Sequence, residues 1–418
     1  METDILQSKK IINALKNGVI PDASLHLLST GRSSELTEFL RCFKNIKEGS
    51  GEIKFLSGEY GAGKSFMLSL VRQAAVEENF LVSKIMISKG FNLSNMEQLY
   101  YNIMHNLSIH AAESAGTDFE TIFDIWVNQL QEYSDRNKAS EEIRNVIGSL
   151  NNFNSSFARA FLVYVKAKIS GDAELSNAAA SWIKGEKNIP AHVKSRFDVK
   201  GDIDKQNSTD FLKAFISLTG LLGYSGLIIL VDELELAMNL RSDIRKNAYE
   251  NIRYIVDESL SGGFGKCMFV FAGTNEVFEN DEKGIKTYPA LYQRLGNGSG
   301  NADAAFTNLR KPVIRLKRLN LEDIQELTDK IIEHHVKAFK WSPKLSNEGI
   351  RNWSLLEFKK SRDSILPVNT REYITKLIEI LDILEQNPDN KVYSSELRLV
   401  KKNGIDTFVN AAIKKDEL

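Results

Sequence analysis

A run of eight residues has the composition and spacing of a phosphate-binding loop (P-loop). It reads Gly58-Glu59-Tyr60-Gly61-Ala62-Gly63-Lys64-Ser65 and fits the pattern G-x-x-x-x-G-K-[ST]. Glycines at these positions let backbone N–H groups surround a phosphate at the N-terminus of a helix. We predict that Lys64 reaches the β- and γ-phosphates of a bound nucleotide and that the Ser65 hydroxyl binds Mg²⁺.

The residues on either side of the loop favour this interpretation over an ordinary glycine-rich turn with an exposed lysine. Residues 53–57 form an apolar run that is typical of a buried strand. After the loop, apolar residues recur at helical spacing from Phe66, which we include among the nucleotide-contacting residues. A strand, the loop and a helix are the context in which this pattern binds phosphate.

Two adjacent carboxylates end another apolar run. Residues 226–231 are apolar or glycine, which suits a buried parallel strand, and Asp232 and Glu233 follow directly. Transfer of a phosphoryl group requires a carboxylate to hold Mg²⁺ and a group to orient the attacking water. We assign Asp232 to the metal and Glu233 to the water, and we give Glu235 less weight. The alternative is an acidic turn after a strand.

Polar residues also end a further predicted strand, at residues 268–272. Thr274 and Asn275 follow it, and a polar side chain at such a position can orient the attacking water. A Gly-Thr-Asn turn that caps a helix explains the same spacing nearly as well.

Two arginines are candidates for neutralising charge that develops on the γ-phosphate. Arg294 lies late in a helical stretch, and Arg371 lies in the first turn of a predicted helix that Asn369 begins. Judged by residue type alone, an arginine at either position is more often an exposed surface residue without a catalytic role.

The elements that carry these residues predict an α/β fold. Predicted strands alternate with helical patterns, which indicates a three-layer sandwich with a parallel five-stranded core. The long helical stretch at about 96–201 is expected to form a separate helical subdomain, with Trp126, Phe161, Tyr164 and Trp182 as core aromatics. We divide the chain into an N-terminal helical arm (1–48), a core (49–318) and a C-terminal helical lid and tail (319–418).

The composition of the chain limits the classes of function that it can have. The chain has 418 residues, 42% of them hydrophobic, and a formal net charge of −1, so any nucleic-acid-binding surface must be local. Its two cysteines are too few for a disulfide framework or a zinc site. No run has transmembrane length, and the first residues lack the basic-then-apolar pattern of a signal peptide, so we expect a cytoplasmic protein. The final Lys-Asp-Glu-Leu therefore reads as a coincidence rather than as a retention signal.

These elements in this order resemble an AAA+ ATPase, and more closely the BrxD-like ATPases of BREX phage-defence systems. Related ATPases are encoded beside Lhr-like helicases in other bacterial defence loci. Besides the P-loop, the resemblance rests on Trp182-Ile183-Lys184-Gly185-Glu186, Gly223-Tyr224-Ser225-Gly226-Leu227, Asp232-Glu233-Leu234-Glu235, Phe271-Ala272-Gly273-Thr274 and Tyr288-Pro289-Ala290-Leu291-Tyr292-Gln293-Arg294-Leu295.

The resemblance implies ATP as ligand, Mg²⁺ as cofactor and a role for each candidate residue. Thr274, with Asn275, matches sensor 1, and Arg294 matches the arginine-finger region. Arg371 matches the sensor-2 arginine, and Arg32 borders the adenine.

The resemblance also implies partners. We expect a homo-oligomer or a complex with a helicase or other defence subunits, with DNA contacted through local surfaces or through a partner. Residues after about 390 are too few for the winged-helix domain that DNA-binding relatives carry.

Two other functions remain open from the sequence. One is a DNA-binding ATPase of the replication-initiator or helicase-loader type, and the other is a nucleotide-gated signalling switch of low turnover. DNA binding with and without ATP tests the first, and steady-state turnover with and without partners tests the second.

Overall fold

The computed structural model describes residues 2–21, 25–110, 119–197, 199, 201–296, 308–342 and 369–387. The chain forms two compact units. The larger comprises residues Glu35–Gly58 and Met67–Leu316, and the smaller comprises the described residues of Met1–Ser34, Glu59–Phe66 and Lys317–Leu418. The predicted C-terminal tail beyond residue 387 lies outside the described residues.

A six-stranded sheet organises the larger unit. Its strands, in chain order, are β1 (Glu52–Ser57), β2 (Leu81–Met86), β3 (Leu107–Ser108), β4 (Leu227–Asp232), β5 (Cys267–Gly273) and β6 (Val313–Arg315). Their order across the sheet is β3-β2-β4-β5-β1-β6. All neighbours are parallel except β3, which pairs antiparallel with β2.

The predicted α/β fold with a parallel five-stranded core is therefore confirmed, with one addition. Every residue of β4 and β5 is buried, because both faces of the sheet are covered, and this is why their sequences are continuous apolar runs. The additional strand, β3, has two residues, which are too few for any hydrophobic period to show.

Helices make up most of the remaining described chain. Those before β4 are α1 (Glu2–Lys16), α2 (Ser33–Lys47), α3 (Lys64–Glu77), α4 (Met96–His105), α5 (Phe119–Glu132), α6 (Arg136–Asn151), α7 (Ser155–Ser170), α8 (Ala173–Ile183), α9 (Ala191–Lys194) and α10 (Ser208–Leu221). Those after β4 are α11 (Ser242–Ser261), α12 (Asn275–Glu279), α13 (Pro289–Arg294), α14 (Leu321–Phe339) and α15 (Thr370–Gln386).

The helices between β2 and β4 share their apolar core with the sheet. Trp126, Phe161, Tyr164 and Trp182 are all buried, as predicted, and the Trp126 and Phe161 rings stack with their centroids 5.9 Å apart. These aromatics belong to one continuous apolar cluster that also contains strand residues such as Ile229. The inserted helices therefore extend the core of the larger unit instead of enclosing a separate one.

In the smaller unit, α1 packs against α14 and α15. α1, α14 and α15 bury a common apolar cluster through Ile11, Ile12, Leu15, Ile324, Leu327, Ile331, Leu377, Ile378 and Leu381. The predicted N-cap of α15 is confirmed, because the Asn369 side chain accepts a hydrogen bond from the Arg371 N–H at 3.0 Å. α14 begins with a full capping box between Asn320 and Asp323.

Candidate nucleotide-binding site

The P-loop has the predicted strand–loop–helix geometry. β1 ends at Ser57, and α3 begins at Lys64. Gly61 and Gly63 have φ of 78° and 88°, in the left-handed region where a side chain is strained. Glycines in this conformation let the backbone turn sharply, as a phosphate-binding loop requires.

The P-loop lysine lies against the loop itself. Lys64 is buried, and its Nζ donates to the carbonyl oxygen of Glu59 at 3.2 Å. The same Nζ lies 5.3 Å from the ring centroid of Tyr60, whose side chain is 70% exposed. Ser65 and Phe66 form the first turn of α3, and Phe66 packs against the apolar cluster of the smaller unit.

Arg32 contacts the P-loop backbone. Its side chain is buried just before α2, and its Nη2 donates to the carbonyl oxygens of Ala62 at 2.7 Å and Lys317 at 2.8 Å. The sequence singled out Arg32 as a neighbour of the adenine, a role that stays a prediction. What the structure adds is a direct bond from this guanidinium to the phosphate-binding loop.

The first turn of α15 also meets the P-loop. Thr370 Oγ1 donates to the carbonyl oxygen of Gly61 at 3.4 Å. A Cβ atom at Gly61 would lie 3.1 Å from the Asn369 amide oxygen, so the loop and the helix start are in close contact. Arg371 belongs to this turn, and its stem lies beside Gly18, where an added Cβ would be 3.3 Å from Arg371 Cδ. The predicted sensor-2 arginine is thus carried by a turn that contacts the P-loop.

The two adjacent acids at the end of β4 lie in different environments. Asp232 is 3% exposed, and its Oδ1 accepts the Glu233 N–H at 2.9 Å. Glu233 is partly exposed, and its backbone has φ of 62°. A left-handed conformation is unfavourable for a glutamate, and such strain is concentrated at functional sites. The strand end therefore presents the two carboxylates differently.

Glu235 connects the acidic turn to the end of β5. It is buried, and its Oε2 accepts the backbone N–H of Thr274 at 3.3 Å. We gave this residue less weight from the sequence, although a third acid three positions after the end of β4 was a visible signal. Its contact indicates a positioning role for the Thr274 segment.

Thr274 and Asn275 lie at the start of α12, directly after β5. Thr274 is buried and occupies the N-cap position of that helix, but its side chain makes no capping hydrogen bond. The Asn275 side-chain oxygen accepts a hydrogen bond from Ser57 Oγ at 2.7 Å. Ser57, which no motif marked, is level with Gly273 across the parallel strands, so this bond joins the carboxyl ends of β1 and β5.

Arg294 is paired within its own chain. It ends α13 and forms an ion pair with Asp257 of α11, and its Nη1 donates to the carbonyl oxygen of Ala290 at 2.8 Å. Asp257 also pairs with Arg253 at 3.1 Å. About a third of the Arg294 side chain is exposed.

Other site chemistries find no support in the described part of the chain. No group of three or more His, Cys, Asp or Glu side chains there could hold a metal ion by itself. Burial raises the pKa of the Cys42 thiol to about 12 and raises that of Cys267 further, which disfavours thiolate chemistry at either residue. Among the described helices, none has the length and apolar character required to span a bilayer.

Comparisons with known proteins place the chain in a family. No curated protein matches it. A solved structure from Aeropyrum pernix, the ORC2 protein in ADPNP and ADP complexes, is 10% identical and has a TM-score of 0.34. That match covers 84% of this chain and 68% of the other, a likeness too weak to carry an argument. The family model described as "BREX system ATP-binding protein BrxC/D" matches residues 5–397, nearly the whole chain. The chain therefore belongs to the family of BREX system ATP-binding proteins BrxC/D.

Proposed function

We propose that this protein is an AAA+ ATPase that hydrolyses ATP with Mg²⁺ and delivers the resulting conformational change to partner proteins of a phage-defence system. ATP binding follows from the family and agrees with the P-loop geometry. The observation that supports hydrolysis is the contrast between buried Asp232 and partly exposed, backbone-strained Glu233. Adjacent carboxylates in different environments are suited to different roles.

The residues present fit a magnesium ion. Mg²⁺ prefers hard oxygen ligands and keeps several waters, so one carboxylate and one hydroxyl are enough protein ligands. From residue type and motif position, we assign these two ligand roles to Asp232 and Ser65. The bound ion would neutralise charge on the phosphates.

Each remaining residue has a defined task in this proposal. The P-loop amides and Lys64 bind the phosphates, which carry most of the ligand's charge. Glu233 accepts a hydrogen bond from the attacking water and polarises it, while Thr274 and Asn275 orient that water. Arg371 neutralises charge on the γ-phosphate from the lid side, as its place beside Thr370 allows.

Replacing Glu233 tests the proposal directly. Glu233→Gln keeps the size of the side chain and removes the anionic acceptor, so we expect ATP affinity to persist while turnover falls ~10²-fold. Isothermal titration calorimetry and a steady-state phosphate-release assay measure the two quantities. Glu250→Gln, on an exposed position of α11, is the matched control and should behave as wild type.

Two results would contradict the assigned roles. If Asp232→Asn spares Mg²⁺-dependent binding while Glu233→Gln destroys it, the two roles are reversed. If wild type and Glu233→Gln both bind ATP and have the same low turnover, the protein is a nucleotide-gated switch and not an ATPase in the sense proposed.

The biological part of the proposal has its own test. We expect the intact locus to protect bacteria against members of a phage panel and the Lys64→Ala version to give no protection, because nucleotide use powers the system. The reduction in plaquing efficiency measures protection. Equal protection by both versions would separate defence from ATP use at this site.

A further inference from the structure

Two arginines of the smaller unit contact the P-loop, Arg32 from the position before α2 and Arg318 from the segment that precedes α14. Arg32 bonds the carbonyl oxygens of Ala62 and Lys317, and Arg318 pairs with Glu59. The loop is thus attached to the Lys317–Arg318 segment at two points. We call Arg32 and Arg318 the arginine clamp.

The Arg32 contacts are well suited to fixing the backbone of the loop. A guanidinium is planar and always charged, so it donates to two carbonyl oxygens at a defined angle. The Arg32 side chain is buried, and both of its bonds are 2.8 Å or shorter. The bond to Ala62 orients a peptide unit between Gly61 and Gly63, where the backbone has little intrinsic preference for one conformation.

The second contact addresses an electrostatic problem in the loop sequence. Glu59 places a negative carboxylate in a loop that is proposed to bind negative phosphates. Charges of the same sign repel each other, so an uncompensated Glu59 would weaken phosphate binding. Arg318 Nε and Nη2 lie 2.8 Å and 2.7 Å from one oxygen of that carboxylate. The same Nη2 lies 3.5 Å from the carbonyl oxygen of Tyr60. Arg318 therefore neutralises the acid and holds the loop at the same time.

We propose that the arginine clamp sets the affinity of the P-loop for ATP, with Arg318 acting through Glu59 and not on the phosphates themselves. This inference rests on nucleotide binding at the P-loop, as proposed above. Both arginines are positioning residues here. Their contacts make the conformation of the loop depend on the segment that leads into the lid helix α14.

A double-mutant cycle tests the Arg318 part, with Mg·ATP affinity measured by calorimetry. Arg318→Ala leaves the Glu59 charge beside the phosphates, so we expect the Kd to rise about 10-fold. Glu59→Gln alone should stay within about 2-fold of wild type. The Kd of the double variant should return to within about 3-fold of the wild-type value, because the Glu59 charge that Arg318 compensates is absent. High salt should reduce the effect of Arg318→Ala, since mobile ions screen partly exposed charges.

The outcomes separate this inference from others. A double variant as weak as Arg318→Ala would mean that Arg318 contacts the nucleotide, and the inference would be wrong. An unchanged Kd in Arg318→Ala would also overturn it. Lys337→Ala removes a comparably exposed ion pair, with Glu333 on α14, and should leave the Kd unchanged. Failure of wild type to bind Mg·ATP would instead refute the proposed function itself.

A conservative series tests the Arg32 part. Arg32→Ala removes both backbone bonds, and we expect a Kd at least about 10-fold higher. Arg32→Lys keeps the charge and can reach one carbonyl, so it should recover part of the affinity. A Lys variant as weak as the Ala variant, in a protein of unchanged melting temperature, would contradict this expected partial recovery. Unchanged affinity in Arg32→Ala would exclude Arg32 from the clamp.

Discussion

Lys64→Ala is expected to raise the Kd for ATP about 10³-fold, a loss of ~4 kcal/mol of binding free energy. The reason is that Lys64 is the cation that the P-loop itself supplies to the phosphates. In the structure its Nζ lies within the loop, 3.2 Å from the carbonyl oxygen of Glu59. Calorimetry with Mg·ATP measures the change.

The fold should survive this substitution. Lys64 begins α3 and contacts the loop, through Glu59 and the Tyr60 ring, and it belongs to neither apolar core cluster. Thermal unfolding should therefore change little in the absence of nucleotide. Lys246→Ala, at an exposed position of α11, is the matched control for loss of a lysine charge. Unchanged ATP affinity in a folded Lys64→Ala protein would remove the basis of the P-loop assignment.

Local sequence signals were sufficient for the five parallel strands and the P-loop. β4 and β5 are buried on both faces, so each is a continuous apolar run that stands out from the helical patterns around it. The P-loop conformation depends on glycines at Gly61 and Gly63, which the sequence displays directly. In both cases the residues that determine the local structure are the same residues that adopt it.

The contacts that organise the site depend on residues far apart in the chain. Glu235 meets the Thr274 amide, and Arg318 meets Glu59 across 259 positions of sequence. A lone acid or arginine has no period or spacing that announces its partner, so such pairs cannot be derived from one sequence. The same limit applies to α1, whose amphipathic pattern shows that it has an apolar face but not that this face packs on α14 and α15.

The arginine-finger role of Arg294 requires an exchange of partners. In the structure Arg294 pairs with Asp257 on the neighbouring helix of the same chain. Asp257 also pairs with Arg253, so it keeps a positive partner when Arg294 turns away. An exposed fraction of about one third leaves the guanidinium accessible from solvent. The exchange therefore leaves no uncompensated carboxylate behind, which makes an intermolecular role energetically accessible.

Arg294→Ala should lower ATP turnover about 10³-fold while ATP affinity persists, because a finger stabilises charge that develops only in the transition state. If Arg294 acts on the ATP of a neighbouring subunit, mixing Arg294→Ala with Lys64→Ala protein should restore part of the turnover, each supplying what the other lacks.

Arg253→Ala removes the other partner of Asp257 and should keep most of the turnover, so it controls for disruption of the cluster. Steady-state phosphate release and light scattering with ATP measure turnover and assembly. No rescue in the mixture, together with a monomer in the presence of ATP, would contradict action between subunits and would leave Arg294 as a structural partner of Asp257.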